Sequence, residues 1–201
     1  MPRPSRKIDL LNAGVAAVLN QGATQTTLEG VCGDVGVTKG AFFHHFRDKD
    51  TFVSAMLQHF GDRGVATLAA VDLGSQPTAC GHLRAYLEAL ERIYSRDPWF
   101  RRGCLFLIVA QEYEEGSPIR QQCEQGLARW LEASTAEFKR IARSSGRRPT
   151  TSERQLAEQL LYTIEGALHV GRVRDAKGGI RKALRQFERY ACAALHIEFA
   201  D

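Results

Sequence analysis

A short stretch near the N-terminus, GVTKGAFFHHFRDKDTF at residues 36–52, combines residues suited to binding a polyanion. Thr38 is placed to cap a short helix, and Lys39 and Gly40 follow in its first turn. A helix N-terminus offers free N–H groups and the positive end of the helix dipole, which favour phosphate. A glycine on the outer face lets a partner approach closely, because no side chain intervenes. The stretch therefore indicates contact with a nucleic-acid backbone.

Short helices must position that stretch. Apolar residues at a period of 3.6 predict a first helix that ends at Gly22, and the S/T-x-x-E pattern at 26–29 predicts a capping box that starts the second. Gly36 ends the second helix, and a third covers 39–46. Asp48 caps a fourth helix. The second and third helices form a helix-turn-helix, in which N-terminal residues of the second member reach base edges in the DNA major groove.

The third helix has two distinct faces. Phe42 and Phe46 are four residues apart, so they share a face that packs inward. The other face carries Lys39, Gly40, Phe43 and His44. The same spacing also fits an ordinary three-helix subdomain with capped helices and an aromatic core, and spacing alone leaves both interpretations open.

The rest of the chain is also predicted to be helical. Further helices are expected at about 78–95, 100–114, 117–144, 152–174 and 178–198, separated by Gly, Pro and polar turns. The apolar run CLFLIVA at 104–110 has the composition of a buried strand, but its flanks and context favour a buried helix. The sequence thus predicts an all-α fold of about nine helices, with a helix-turn-helix domain at 1–48 and a larger domain at 49–201.

Composition restricts the function without naming it. The net charge of +4 permits a polyanionic partner without requiring one, and the Arg-rich C-terminal segments fit a solvated helix face. Five scattered cysteines without a C-x-x-C pair predict reduced thiols and no zinc site. No apolar run approaches 18 residues, so we expect a cytoplasmic protein without a membrane span.

Motifs for catalysis are not recognisable in the sequence. It contains no nucleophile elbow, no phosphate-binding loop, no metal-ligand spacing and no carboxylate pair placed by more than chance. We therefore expect no enzyme, no catalytic residue and no cofactor.

The order of features at 26–52, TTLEGVCGDVGVTKGAFFHHFRDKDTF, resembles the N-terminal domain of the TetR family of bacterial transcriptional regulators. The match includes Gly-Val-Thr-Lys-Gly at 36–40, His-Phe at 45–46 and Lys-Asp at 49–50. The resemblance implies a DNA-binding set in which Thr26, Thr38 and Lys49 hold phosphates. In the same set Lys39 and Gly40 approach base edges or the adjoining backbone, and His44 reaches DNA. This set is Thr26, Thr27, Thr38, Lys39, Gly40, Phe43, His44 and Lys49. Position 43 is commonly Tyr in the family, and Phe43 lacks the hydroxyl, which costs about 0.5–1.5 kcal/mol for a typical hydrogen bond.

The C-terminal part resembles the helical ligand-binding and dimerisation domain of the same family. Residues 101–122 resemble one branch of it, through Gly103-Cys104, Glu112-Tyr113 and Pro118-Ile119-Arg120. The last two helices are expected to form the dimer, along a seam of Leu156, Leu160, Ile164, Leu168, Leu184, Phe187, Ala191 and Leu195.

A mostly apolar effector pocket is expected between the fourth and eighth helices. Its candidates are Met56, Phe60, Leu87, Tyr94, Cys104, Ile108, Gln111, Trp130, Tyr162 and His169. Each also fits plain core, and His169 also fits a core histidine with satisfied hydrogen bonds. Cys104 follows two arginines, which favour a reactive thiol, whereas the apolar run after it favours a small buried side chain.

The resemblance implies a homodimeric, ligand-responsive regulator, most often a repressor, on a pseudo-palindromic operator. An aromatic or lipophilic small molecule is the expected effector. Two alternatives stay open at this point. One is a helical small-molecule-binding module without specific DNA recognition, and the other is an oxidant or electrophile sensor that acts through Cys104 and the same headpiece.

Overall fold

The computed structural model describes residues 6–71, 73, 76–174 and 178–199, and these form nine α-helices and no strand. The helices are α1 Arg6–Gln21, α2 Leu28–Val35, α3 Lys39–His45, α4 Lys49–Ala69, α5 Ala79–Arg96, α6 Leu105–Ala110, α7 Pro118–Ser145, α8 Glu153–Arg174 and α9 Gly179–Leu195. The predicted all-α class is confirmed. The turns predicted after the fourth helix and before the last helix lie partly outside the described residues.

The helix predicted at 100–114 is divided in two. A short 3₁₀ turn occupies Phe100–Arg102, and α6 begins only at Leu105. Gly103 separates them with φ of 115°, a conformation that glycine adopts without strain. The apolar run predicted as a buried helix is helical from Leu105 onwards, and Leu105, Phe106 and Val109 are buried on it.

The first of two compact units contains the chain up to residue 66 together with 104–127. In it α1 packs against α2, α3 and α6. Gly14 permits close packing of α1 on α4, because a Cβ there would lie 2.5 Å from the Phe52 ring and 2.4 Å from the sulfur of Met56. Phe106 packs in a T-shape on Phe60, with ring centroids 5.5 Å apart. Residues that are distant in sequence thus complete this unit.

The second unit contains residues 67–103 and the chain from 128 onwards, with α9 packed on both α5 and α8. Here the predicted dimer seam needs correction. Seven of its eight residues are buried inside a single chain, and the eighth, Leu168, is half-buried. The apolar stripes of α8 and α9 are used to pack these helices within their own unit. The predicted domain division after residue 48 stays a prediction.

In the described part of the chain, no helix combines the length and the apolar character that crossing a membrane requires.

Candidate functional site

The helix-turn-helix is built from local capping interactions. Thr27 caps α2 by accepting the Gly30 N–H at 3.1 Å, and Thr38 caps α3 by accepting the Ala41 N–H at 3.2 Å. Gly36 ends α2 in the left-handed conformation, with φ of 68°. The predicted capping box at 26–29 does not form, since the cap lies one residue later than expected. These caps fix where α3 begins and therefore which residues occupy its first turn.

The two predicted faces of α3 are present. Phe42 is fully buried, and its ring centroid lies 5.2 Å from that of Phe46 and 5.1 Å from that of Phe52. Phe43 is 51% exposed on the opposite side. The aromatic cluster anchors α3 by one face and leaves the other free for a partner.

Seven of the eight predicted DNA-binding residues are exposed: Thr27, Thr38, Lys39, Gly40, Phe43, His44 and Lys49. Gly40 is informative because the protein itself does not need a glycine there. A Cβ at position 40 would meet no atom nearer than the Thr38 hydroxyl, at 3.7 Å, and its φ is not positive. The absence of a side chain at position 40 leaves the α3 backbone open to close approach from outside.

Thr26 departs from this pattern. It is only 6% exposed, and its hydroxyl donates to the Gly22 carbonyl at 2.7 Å. The predicted phosphate contact is therefore corrected for this residue. Its side chain holds the turn between α1 and α2 instead of facing outward.

The structure adds an interaction that sequence spacing did not reveal. The Lys39 ammonium forms an ion pair with the carboxylate of Glu29, and the pair lowers the pKa of Glu29. Both side chains are more than half exposed. Glu29 was expected to reach back within a capping box, and nothing in its spacing from Lys39 pointed to this pairing across the turn.

The N-terminus of α4 is fixed by Asp48. Its carboxylate accepts the Thr51 N–H at 2.7 Å and the Thr51 hydroxyl at 2.6 Å, and together with Arg47 these bonds lower the pKa of Asp48 to about 2. The predicted cap is confirmed. Lys49 follows directly, and its ammonium donates to the Ala23 carbonyl at 3.2 Å.

The predicted effector residues in the first unit have different environments. Met56 and Phe60 are buried, Cys104 and Ile108 are half-buried, and Gln111 is exposed. Gln111 is displaced from the predicted interior because α6 ends one residue before it.

The predicted effector residues in the second unit also differ in their exposure to solvent. Leu87 and Tyr94 are buried, and Trp130 is half-buried. Tyr162 is 64% exposed and His169 is also exposed, with its ring 3.7 Å from the carboxylate of Glu165. Both are corrected as pocket candidates, because α8 turns its other face to the interior of the unit.

Two cavities of about 630 Å³ lie in the second unit. One, between α5 and α9, includes Leu87 and is rimmed by ion pairs such as Arg84 with Glu188 and Arg181 with Glu91. The other, which we call the α5–α7 cavity, is lined by Leu68, Ala69, Ala70, Val71, Leu73, His82, Tyr86, Ala89, Ala133, Ser134, Ala136, Glu137 and Arg140. Leu87 is the only predicted effector residue that lines either of the two.

The α5–α7 cavity contains buried polar groups. Glu137 is 5% exposed, and its carboxylate lies 2.5 Å from the His82 ring nitrogen and 2.6 Å from the Arg140 guanidinium. The Tyr86 and Ser134 hydroxyls lie 2.9 Å apart, and burial raises the pKa of Tyr86. Polar groups buried beside alanines can orient a ligand. Sequence spacing could not reveal this cluster, because its members lie on two helices and are 48 to 55 residues apart.

Among the cysteines, burial raises the pKa of Cys123 and of Cys192 to about 11. Burial also raises the pKa of Cys32. These thiols are therefore protonated at neutral pH and poor nucleophiles. In the described part of the chain, no three His, Cys, Asp or Glu residues gather in a way that holds a metal ion.

Comparison with known proteins gives matches along both units. Residues 10–56 match the family model described as "Bacterial regulatory proteins, tetR family", and residues 79–187 match "Tetracyclin repressor-like, C-terminal domain". The transcriptional regulator AcuR of Cereibacter sphaeroides is 25% identical over 160 residues, which cover 79% of this chain and 73% of AcuR. The nucleoid occlusion factor SlmA of Marinobacter nauticus is 24% identical over 166 residues, 83% of each chain.

Solved structures show the same fold. The reduced form of Escherichia coli NemR has a TM-score of 0.74 at 19% identity, over 92% of this chain and 96% of NemR. The regulatory protein TetR from Rhodobacter sphaeroides has a TM-score of 0.77 at 24% identity, over 91% and 97% of the two chains. Since both family models match and the second helix of the helix-turn-helix has an exposed outer face, the chain belongs to the TetR family of dimeric, DNA-binding transcriptional regulators with a ligand-binding C-terminal domain.

Proposed function

We propose that the protein is a repressor that leaves its operator when a small molecule binds the C-terminal domain. The observation that carries the DNA-binding part is the outer face of α3, where Lys39, Gly40 and His44 are exposed while the opposite face is anchored by Phe42. Two such helices in a dimer would enter successive major grooves about 34–36 Å apart on a pseudo-palindrome. An effector can release the DNA only by its differential affinity for the two states of the dimer.

The experiment that tests this function is a fluorescence anisotropy titration with DNA that flanks the protein's own gene, at several salt and competitor concentrations. We expect sequence-selective binding of one dimer per site. If neither this DNA nor duplexes selected from a random pool bind selectively, the regulator hypothesis fails, and a helical binding module without DNA recognition takes its place.

The dimer is proposed to form through the outward faces of α8 and α9. Tyr162, Val170 and Val173 lie on one face of α8 and are 64%, 55% and 89% exposed, and Gly166 is exposed between them. Tyr190 of α9 is 43% exposed. Apolar side chains in such a stripe are typical of a protein–protein interface, and a glycine between them permits close approach of two helices.

The α5–α7 cavity is proposed as the effector site. Alanines and leucines supply an apolar lining, and the groups around Glu137 and the Tyr86–Ser134 pair supply hydrogen-bonding partners. An effector with an aromatic or lipophilic body and one polar group fits this lining. None of the effector residues that the sequence indicated lines this cavity, so the proposed site differs from the predicted one.

Filling the cavity is expected to abolish the effector response and leave DNA binding intact. Ala133 is exposed to the cavity, so Ala133→Phe occupies space without entering a packed core. A hydrophobic dye, 1-anilinonaphthalene-8-sulfonate, and a panel of aromatic compounds would be titrated against the protein–DNA complex. The matched control is Ala128→Phe, also exposed on α7 but outside the cavity lining. Equal effector responses in both variants would place the site elsewhere.

Removing the Glu29 charge is expected to tighten DNA binding about two- to fivefold, because Lys39 is then no longer held in an exposed ion pair before it meets DNA. Anisotropy at low and at physiological salt measures the change for Glu29→Gln, and the gain should shrink as salt rises. Glu158→Gln is the control, since Glu158 pairs with Arg154 on α8, outside the helix-turn-helix. A weaker affinity in Glu29→Gln would mean that the pair orients Lys39 for DNA.

A second candidate is redox control through Cys104. It is half-buried at the start of α6, whereas burial suppresses the reactivity of Cys123 and Cys192. Release of DNA by hydrogen peroxide or N-ethylmaleimide in the wild type, and its loss in Cys104→Ser, would support this function over a reversible ligand.

The proposed role requires no catalysis and no cofactor. We also propose that the protein acts in the cytoplasm, where a bacterial regulator meets chromosomal DNA.

A further inference from the structure

Glu112, in the loop that follows α6, binds the turn between α1 and α2. One carboxylate oxygen accepts the Ala23 N–H at 2.9 Å, and the other accepts both the N–H and the hydroxyl of Thr24, the latter at 2.5 Å. Burial raises the pKa of Glu112, but the bonds from Thr24 and Ala23 and the charge of Lys49 outweigh it, so that the pKa is lowered. The group is therefore an ionised acceptor for three donors at neutral pH.

The turn is shaped to receive this carboxylate. Gly22 has φ of 86°, and a Cβ there would lie 2.6 Å from the same Glu112 oxygen that binds Ala23. Thr26 holds the other side of the turn by donating to the Gly22 carbonyl at 2.7 Å. The turn leads directly into Thr27, the cap of α2. Its conformation thus sets where the N-terminus of α2 lies.

The same turn also holds Lys49. Ala23 donates its N–H to Glu112, and its carbonyl accepts a hydrogen bond from the Lys49 ammonium at 3.2 Å. Tyr113 follows Glu112 and Asp50 follows Lys49, and the Tyr113 hydroxyl donates to the Asp50 carboxylate at 3.4 Å. The N-termini of α2 and α4 are therefore tied to one loop.

The loop is itself held in place within this unit. Arg120 donates to the Ala110 carbonyl from the start of α7, and Gln122 donates to the Ser54 carbonyl of α4 at 3.0 Å. Glu112 therefore projects from a fixed position, which is what a side chain needs in order to impose a geometry on another segment.

We infer that Glu112 is a positioning residue for DNA binding, which holds the α1–α2 turn so that Thr27 at the start of α2 and Lys49 at the start of α4 face the phosphate backbone together. Glu112 does not touch DNA in this arrangement, and its effect passes through Ala23, Thr24 and Lys49.

The direction of the change in DNA affinity distinguishes this positioning role from electrostatic repulsion between Glu112 and phosphate. A carboxylate near DNA repels phosphate, so its removal should strengthen binding or leave it unchanged. Glu114→Gln, two residues along the same exposed loop, serves as the charge-matched control and is expected to behave in that way. Glu112→Gln is expected to weaken binding about tenfold, because the amide cannot accept all three donors and the turn is released.

The test is anisotropy with a 30-base-pair duplex selected from random DNA by the wild-type protein, measured from low to high potassium chloride. For Glu112→Gln we expect the slope of log K against log salt to fall by about 1 for each protomer, because the Lys49 phosphate contact is lost. A purely structural role would lower the folded fraction without changing this slope. Hydrogen exchange at the Ala23 and Thr24 amides should rise in the same variant.

The inference is overturned if Glu112→Gln binds the duplex as tightly as Glu114→Gln or more tightly, or if its salt slope equals that of the wild type. If Glu112→Gln fails to fold, Thr24→Val decides the question, since it removes one exposed hydroxyl donor and no charge. A loss of about threefold or more in Thr24→Val with an unaltered melting temperature supports the role, and an unaltered affinity rejects it.

Discussion

Replacing Lys39 and His44 together by Ala is expected to weaken operator binding at least about 30-fold, because each contact to a base edge or phosphate is worth about 1–3 kcal/mol. Both side chains are exposed on the outer face of α3. Their loss should therefore change the free energy of unfolding by less than about 0.5 kcal/mol. Anisotropy measures the affinity, and thermal unfolding followed by circular dichroism measures the stability.

Two comparisons make this result interpretable. Lys182→Ala removes an exposed positive charge from α9, outside the helix-turn-helix, and is expected to leave operator affinity nearly unchanged. Effector binding by the double variant, followed directly with the hydrophobic dye, should be retained because the α5–α7 cavity is lined by other residues. If the double variant keeps its operator affinity, α3 is not the recognition helix.

Placing a charge on the outward face of α8 is expected to separate the dimer. Val170 is 55% exposed in the single chain, so Val170→Glu should not disturb the fold of the protomer. In a dimer that uses this face, the new carboxylate would be buried against its symmetry mate, and burial of an unpaired charge is strongly unfavourable. Operator affinity should fall by about 100-fold or more, because a monomer binds one half-site without the second to raise its effective concentration.

Sedimentation velocity at micromolar protein measures whether the dimer separates, and anisotropy measures the operator affinity. The control is Val65→Glu, which places the same charge at a valine that is 64% exposed on α4. We expect this control to stay dimeric. A Val170→Glu protein that sediments as a dimer would show that another face joins the two chains.

The helices of the helix-turn-helix could be predicted from sequence because their signals are local. Thr38 and Asp48 accept hydrogen bonds from residues three positions later, at 3.2 and 2.7 Å, so cap and partner lie within one helical turn. Phe42 and Phe46 are four residues apart, and this spacing alone puts them on one face. The structure confirms these features because tertiary contacts do not compete with them.

Other predictions failed where a side chain had more than one hydrogen-bonding or ion-pairing partner within reach. Thr26 and Thr27 are chemically equivalent in the sequence, but the Gly22 carbonyl engages the first, so only the second is left to cap α2. Glu29 fits a capping box by spacing, yet the turn brings Lys39 within reach and the ion pair forms instead. In both cases the local rule offered two partners, and packing selected one.

The helical periodicity of α8 and α9 established by itself that each helix has an apolar stripe. Only the tertiary structure decided what covers that stripe, because periodicity fixes the direction of side chains about a helix axis and not the neighbour they meet. The stripes pack within the chain, whereas Tyr162, Val170 and Val173 of α8 and Tyr190 of α9 are exposed. Likewise, Glu112 belongs to a recognisable sequence motif, but it is 89 residues from Ala23. The hydrogen bond between them forms only because α6 packs on α1.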